Sequence, residues 1–175
     1  MKTAITVALI IAYKGFQPVE YQNTKKELED AGITVHTIST QLGEAESSDG
    51  SKVAVDGRIG HIIPEEYQGI ALIGGAGALE YLDNKEVYQC IKNAADAHMV
   101  LGAICIAPRI LAHADVLKDK KATGWDDDNE LTNIFKKHNV TYTKEGVVTD
   151  GNIVTANGPA TATDFGKALA KLVKK

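Results

Sequence analysis

Near-continuous apolar runs alternate with amphipathic segments along this chain. Residues 3–12 (TAITVALIIA) read as a strand covered on both faces, Ile33–Ile38 as the second strand, Ile70–Ile73 as a short buried strand and Val100–Ile104 as the next. Helical spacing predicts helices at Pro18–Ala31, Asn84–Ala97, Pro108 to about Ala114, Asn129–Lys137 and Thr161–Lys174. Pro18 suits a first turn and Gly32 a stop, while Val87, Ile91, Ala94 and Ala95 share one face of the second helix. Shorter strands are expected at Lys121–Thr123, Thr141–Tyr142, Val147–Val148 and Asn152–Ala156, with Asp150-Gly151 as a hairpin turn. The polar interval 43–51 reads as an edge hairpin, and Gly15-Phe16-Gln17-Pro18 as a break. No internal repeat, linker or low-complexity tract interrupts the pattern.

Strands alternating with helices imply an α/β fold: a single-domain, three-layer α/β/α sandwich over residues 1–175, with a mostly parallel, flavodoxin-like sheet. In such sheets ligands bind beyond the carboxyl ends of the strands, near a topological switch point. Three features converge there: the loop after the first strand, Gly74-Gly75 after Ile73, and Cys105 after Ile104.

Cys105 is the chemical focus. A strand turning sharply into a helix holds the turn residue strained and exposed, aimed at unpaired helix N–H groups. That setting predicts more thiolate than a free cysteine shows, whose pKa is about 8.5; the alternative is a small buried hydrophobe. The Gly75 and Ile106 N–H groups form a candidate oxyanion hole. Glu20, in the first turn of its helix, either complements the dipole or faces Cys105. In the second case carboxylate and thiolate cannot both ionise, so the carboxyl stays protonated against sulfur and serves as acid or base.

Composition narrows the partners. The 175 residues carry a net charge of -4 with 44% hydrophobic and 24% charged residues, an ordinary globular balance with no Lys/Arg cluster to favour nucleic acid. Cys90 and Cys105 form no CxxC and have no histidine at metal spacing, so a reducing, cytoplasmic setting and no metal are expected. Lys2 followed by Ala4–Ala12 resembles a short leader. Its β-branched content and lack of a small-x-small site favour a strand, and it is too short to span a bilayer.

Rival sites are weaker. Gly75-Ala76-Gly77-Ala78-Leu79-Glu80 supplies two of the three glycines of a dinucleotide fingerprint. Asp126-Asp127-Asp128 is either a solvated helix start or a pocket border able to take a cation. Cys90 reads as packing, His113 as a surface or packing residue. Arg109 either folds back on Cys105 or belongs to the surface or a subunit interface.

Ala103-Ile104-Cys105-Ile106-Ala107-Pro108, Gly74-Gly75 and Glu20 within PVEY resemble the ThiJ/PfpI superfamily. The likeness extends through Lys121–Trp125 to Gly151–Pro159. The superfamily includes PfpI-type intracellular proteases, glyoxalase III-like enzymes and a parkinsonism-associated deglycase, and shares its fold with class I glutamine amidotransferase domains. The resemblance implies Cys105 as nucleophile, Glu20 as the acid on its sulfur, Gly75 and Ile106 as backbone donors, no cofactor, and a homodimer or higher homo-oligomer. Two departures stand out: PfpI-like members carry histidine where this chain has Ile106, and others carry one near the position of Trp125.

The combined reading is Cys105/Glu20 chemistry of glyoxalase or deglycase type on small reactive carbonyls. Its alternatives are an oxidative-stress sensor acting through Cys105, or a PfpI-type peptidase acting on peptides. No membrane or nucleic-acid partner is expected.

Overall fold

Runs of Val, Ile, Leu and Ala with no polar face can be covered only from both sides, and here they become the inner strands of one sheet. The computed structural model describes residues 4–175. The chain opens with β1 (Thr6–Ile10), β2 (Lys14–Phe16), α1 (Pro18–Asp30) and β3 (Thr34–Ser39). It continues through β4 (Gly43–Ser47), β5 (Lys52–Val55), β6 (Gly57–Arg58), β7 (Gly69–Leu72), α2 (Ala78–Leu82) and α3 (Lys85–Asp96). The second half runs β8 (Val100–Ile104), α4 (Pro108–His113), β9 (Lys121–Ala122), α5 (Glu130–Lys137) and β10 (Thr141–Tyr142). It closes with β11 (Val147–Asp150), β12 (Ile153–Ala156) and α6 (Ala162–Val173).

Seven strands form the main sheet in the order β11-β12-β8-β7-β1-β3-β6. All pairings are parallel except β11 with β12. Helices cover both faces, completing the α/β/α sandwich. On one face Val87, Ile91, Ile110, Leu111 and Phe135 pack over Ile10 and Leu72. On the other, Tyr21, Leu28, Phe165 and Leu169 pack over Leu9, Ile73 and Val154. Each such buried side chain contributes about 1.5–3 kcal/mol, so the two apolar layers fix the sheet that carries the loops.

After β1 the chain steps outward to β3, then returns past β1 to β7, β8 and β12. The connections leaving β1 and β7 therefore diverge, and a crevice opens where they part.

The structure departs from the sequence pattern in small elements. The first strand is Thr6–Ile10 rather than 3–12, and Thr3 lies outside the described residues. The 43–51 interval does form an antiparallel hairpin with β5, but it does not project alone. β2 pairs with β4, building a separate three-stranded sheet where a simple break was expected. Phe16 is fully buried there, and three residues are too few to display a period. α2, five residues long, escapes periodic reading for the same reason. No helix among the described residues is long and apolar enough to cross a membrane.

Candidate active site

Three loops build the site at the switch point. Leaving β1, the Gln17 side chain caps α1 by accepting the N–H groups of Val19 (2.6 Å) and Glu20 (3.1 Å). The Gln17 N–H donates to the Gly74 carbonyl at 2.9 Å, joining this loop to the one after β7. These contacts fix the first turn, so Glu20 points into the protein with 0% of its surface exposed.

Gly74 answers it. Its N–H donates to Glu20 Oε2 at 2.9 Å, and an added Cβ would lie 2.6 Å from Cys105 Cβ and 2.8 Å from the Ile104 carbonyl oxygen. Only glycine admits the carboxyl and the cysteine to the same space. Gly75 follows at φ +115, a conformation open to glycine and strained for other residues.

Cys105 closes the triangle at φ +62, the left-handed backbone of a sharp strand-to-helix turn. Its N–H donates to the Ala156 carbonyl at 2.9 Å and its carbonyl accepts the Trp125 N–H at 2.7 Å. Neighbours on both sides thus hold the strained residue in place. Glu20 Oε1 is buried without a hydrogen-bond partner, and the Cys105 thiol is the side chain coupled to the carboxyl.

The electrostatics correct one expectation. Burial raises the Glu20 carboxyl to about 7, against smaller opposing effects from its hydrogen bonds to Cys105 and Gly74. Burial, then the Glu20 charge and hydrogen bond, push the Cys105 thiol up to about 12; the N–H groups of Ile106 and Gly75 pull the other way. Cys105 is therefore not a free-standing low-pKa thiolate. The helix ahead of it spans six residues and starts at Pro108, which has no N–H, so it offers little to an anion. Thiol and carboxyl instead titrate as a pair. Below about pH 7 both are neutral; above it the pair holds one proton and one negative charge.

Outside the pair lies a pocket of about 260 Å³ lined by Gly75, Ala76, Cys105, Ile106 and Trp125. The structure thus brings Cys105, Glu20, Gly75 and Ile106 together, with sulfur at the pocket floor and Glu20 buried behind it. No histidine lines the pocket. His113 Nδ1 sits 2.9 Å from Asp83 and its ring stands 5.6 Å from that of His138.

Both sequence readings of Arg109 are corrected. It neither folds back on sulfur nor reaches the surface: it is 3% exposed and forms two bonds to Asp128, at 3.0 and 2.6 Å. It also donates to the Trp125 carbonyl at 3.2 Å and lies 5.4 Å from the indole centroid. The acidic run is likewise committed. Asp126 caps α5 by accepting the Leu131 N–H at 2.8 Å, and Asp127 accepts the indole N–H at 3.1 Å. Nothing in Arg109 or Asp128 alone reveals this clasp, because it spans 19 positions in sequence.

Gly75-Ala76-Gly77 does not cradle a phosphate. The Gly75 N–H serves sulfur, while those of Gly77 and Ala78 donate to the carbonyls of Gly15 (3.1 Å) and Gly75 (3.0 Å). Among the described residues, no group of three or more His, Cys, Asp and Glu side chains is arranged to hold a metal ion.

The profile of the DJ-1/PfpI family matches residues 6–172. An uncharacterized protein of Methanocaldococcus jannaschii is 35% identical over 176 residues, spanning 100% of this chain and 85% of its own length. One from Staphylococcus aureus is 32% identical over 172 residues, covering 94% and 96%. Among solved structures, a ThiJ/PfpI domain protein from Brachyspira murdochii superposes with a TM-score of 0.92 at 26% identity, covering 98% of each chain. Drosophila melanogaster DJ-1beta does so at 0.85 with 24% identity, covering 99% of this chain and 92% of its own.

Proposed function

Because the chain belongs to the DJ-1/PfpI family, we propose that its elbow cysteine and buried glutamate transform small α-oxoaldehydes into α-hydroxy acids. The observation that carries this reading is the fully buried Glu20 carboxyl, held by the Gly74 N–H and coupled to the thiol of Cys105, which lines the pocket. Sulfur attacks the aldehyde carbon, forming the S–C bond, and the proton of the pair passes to the carbonyl oxygen. Glu20, now a carboxylate, takes the hydrogen from the hemithioacetal carbon through Oε1. The electron pair moves onto the neighbouring carbonyl oxygen, giving an enediolate, and the hydroxyl proton of the first carbon passes to that oxygen. Return of the proton held by Glu20 to the neighbouring carbon yields a thioester, and water releases the hydroxy acid and the thiol. The N–H groups of Gly75 and Ile106 stabilise the oxyanion as it develops. One acid–base group suffices because the proton moves between adjacent carbons of one bound molecule.

Peptide cleavage fits less well: a poor leaving amine needs its own proton donor, and the pocket offers no histidine for that task. A second reading rests on the same thiol, partly exposed beside a carboxyl with one unpartnered oxygen. One peroxide oxidises the sulfur to sulfenic acid and a second to sulfinic acid, each releasing water, and Glu20 then hydrogen-bonds the product.

Methylglyoxal consumption and lactate formation by the purified protein, beside Cys105→Ser and Glu20→Gln, test the primary reading. Turnover lost in both variants supports it. Equal rates in all three proteins overturn it, and peroxide-dependent gain of two oxygens confined to Cys105 then favours the second.

A further inference from the structure

We infer that Trp125 is the specificity wall of the thiol pocket, selecting uncharged carbonyl compounds with an apolar or aromatic substituent over small or anionic ones. The inference rests on Cys105 as the attacking atom and adds the substrate class.

The pocket walls carry no charged side chain: Ala76, Ile106 and Trp125 supply its surface around the sulfur. Its volume of about 260 Å³ exceeds what a three-carbon substrate occupies, and the surplus is bounded by an indole. An aromatic face of this kind favours a second ring through offset or edge contacts.

The indole is held rather than loose. The Arg109 guanidinium lies 5.4 Å from its centroid, Arg109 donates to its backbone carbonyl, and Asp127 accepts its N–H. Arg109 is fixed in turn by its two bonds to Asp128. Arg109 and Asp127 are thus positioning residues for Trp125.

The charges around the pocket disfavour an anion. Glu20 and Cys105 together carry one negative charge above about pH 7, and Asp126 and Asp127 adjoin the indole. Arg109 is neutralised by Asp128 and has no place among the pocket-lining side chains. Lys144 lies across a separate cavity, shared with Trp125, Asp126 and Asp127. An incoming carboxylate meets no cation within the thiol pocket.

The chain has one tryptophan, so its fluorescence reports on this wall directly. Cys105→Ser protein is titrated with mandelamide, lactamide and mandelate, which separate the aromatic substituent from the charge. Mandelamide is expected to bind at least ~10-fold more tightly than either of the others. Equal affinities, or no saturable response to mandelamide, overturn the inference.

By calorimetry, Trp125→Ala is expected to reduce the preference for mandelamide over lactamide to within about twofold; an unchanged preference removes Trp125 from the role. Asp127→Ala, at an exposed position, is expected to shift Trp125 emission and weaken mandelamide but not lactamide. Equal weakening of both ligands contradicts the positioning role. Binding is read without turnover, so selectivity without activity refutes only the proposed reaction, and activity without selectivity refutes only this inference.

Discussion

The two cysteines of this chain share partial burial and a raised thiol pKa but differ in their surroundings. Cys90 sits within α3, between the buried residues Val87, Ile91 and Ala94 of that helix. Burial and the Glu86 charge raise its thiol to about 11, with no opposing hydrogen bond. Cys105 is raised comparably, yet it occupies a left-handed turn, receives two backbone N–H groups and adjoins a carboxyl that needs a proton partner. Accessibility alone does not separate them, since both are partly buried. The difference lies behind the sulfur: a left-handed turn holds Cys105, and a buried carboxyl adjoins its thiol.

Breaking the comparison at its centre produces the largest expected effect. Cys105→Ser is expected to lower α-oxoaldehyde turnover by at least ~10³-fold, whereas Cys90→Ser leaves it within about twofold. Steady-state rates on the three proteins check this.

Glu20→Gln comes next. Turnover is expected to fall by about 10²–10⁴-fold, the usual contribution of a positioned acid–base group. The same change should stabilise the fold in alkaline solution. The Glu20 pKa is raised from 4.5 to about 7 in the folded protein. The folded state therefore holds the proton more tightly, and its contribution is complete below pH 4.5 and lost as pH rises through 7. Glutamine keeps the neutral form at every pH. Denaturant titrations should show Glu20→Gln gaining about 3 kcal/mol at pH 8 and almost nothing at pH 4.

A smaller effect is expected for Gly74→Ala. Its Cβ must displace the Ile104 carbonyl or Cys105 itself, at a cost of about 1–3 kcal/mol in stability. Alkylation of Cys105 should change with it while that of Cys90 does not, as peptide mapping after iodoacetamide treatment would show.

The layers of the fold were legible because burial on both faces writes itself as near-continuous apolar runs in β1, β7 and β8. α3 was legible through Val87, Ile91 and Ala94, and its start through Asn84, whose side chain accepts the N–H groups of Glu86 and Val87. β2 and α2 were not, since their placement comes from contacts distant in sequence. The site followed the same division. Cys105, Gly75 and Ile106 sit at strand ends, where local pattern locates them. Glu20 resembles any first-turn acid until Gln17 and Gly74 fix its direction. The raised thiol pKa and the Arg109–Asp128 clasp were illegible, because burial and a pairing across 19 positions are properties of the packed chain.

The central claim is that Cys105 and Glu20 share one proton. Its most direct test is the pH dependence of iodoacetamide alkylation at Cys105 and Cys90, resolved by mass spectrometry in one sample. The account predicts that the Cys105 rate rises through a midpoint near 7 and loses that midpoint in Glu20→Gln, with Cys90 rising only in strongly alkaline solution. A Cys105 profile that tracks Cys90, or one unchanged by Glu20→Gln, would contradict it.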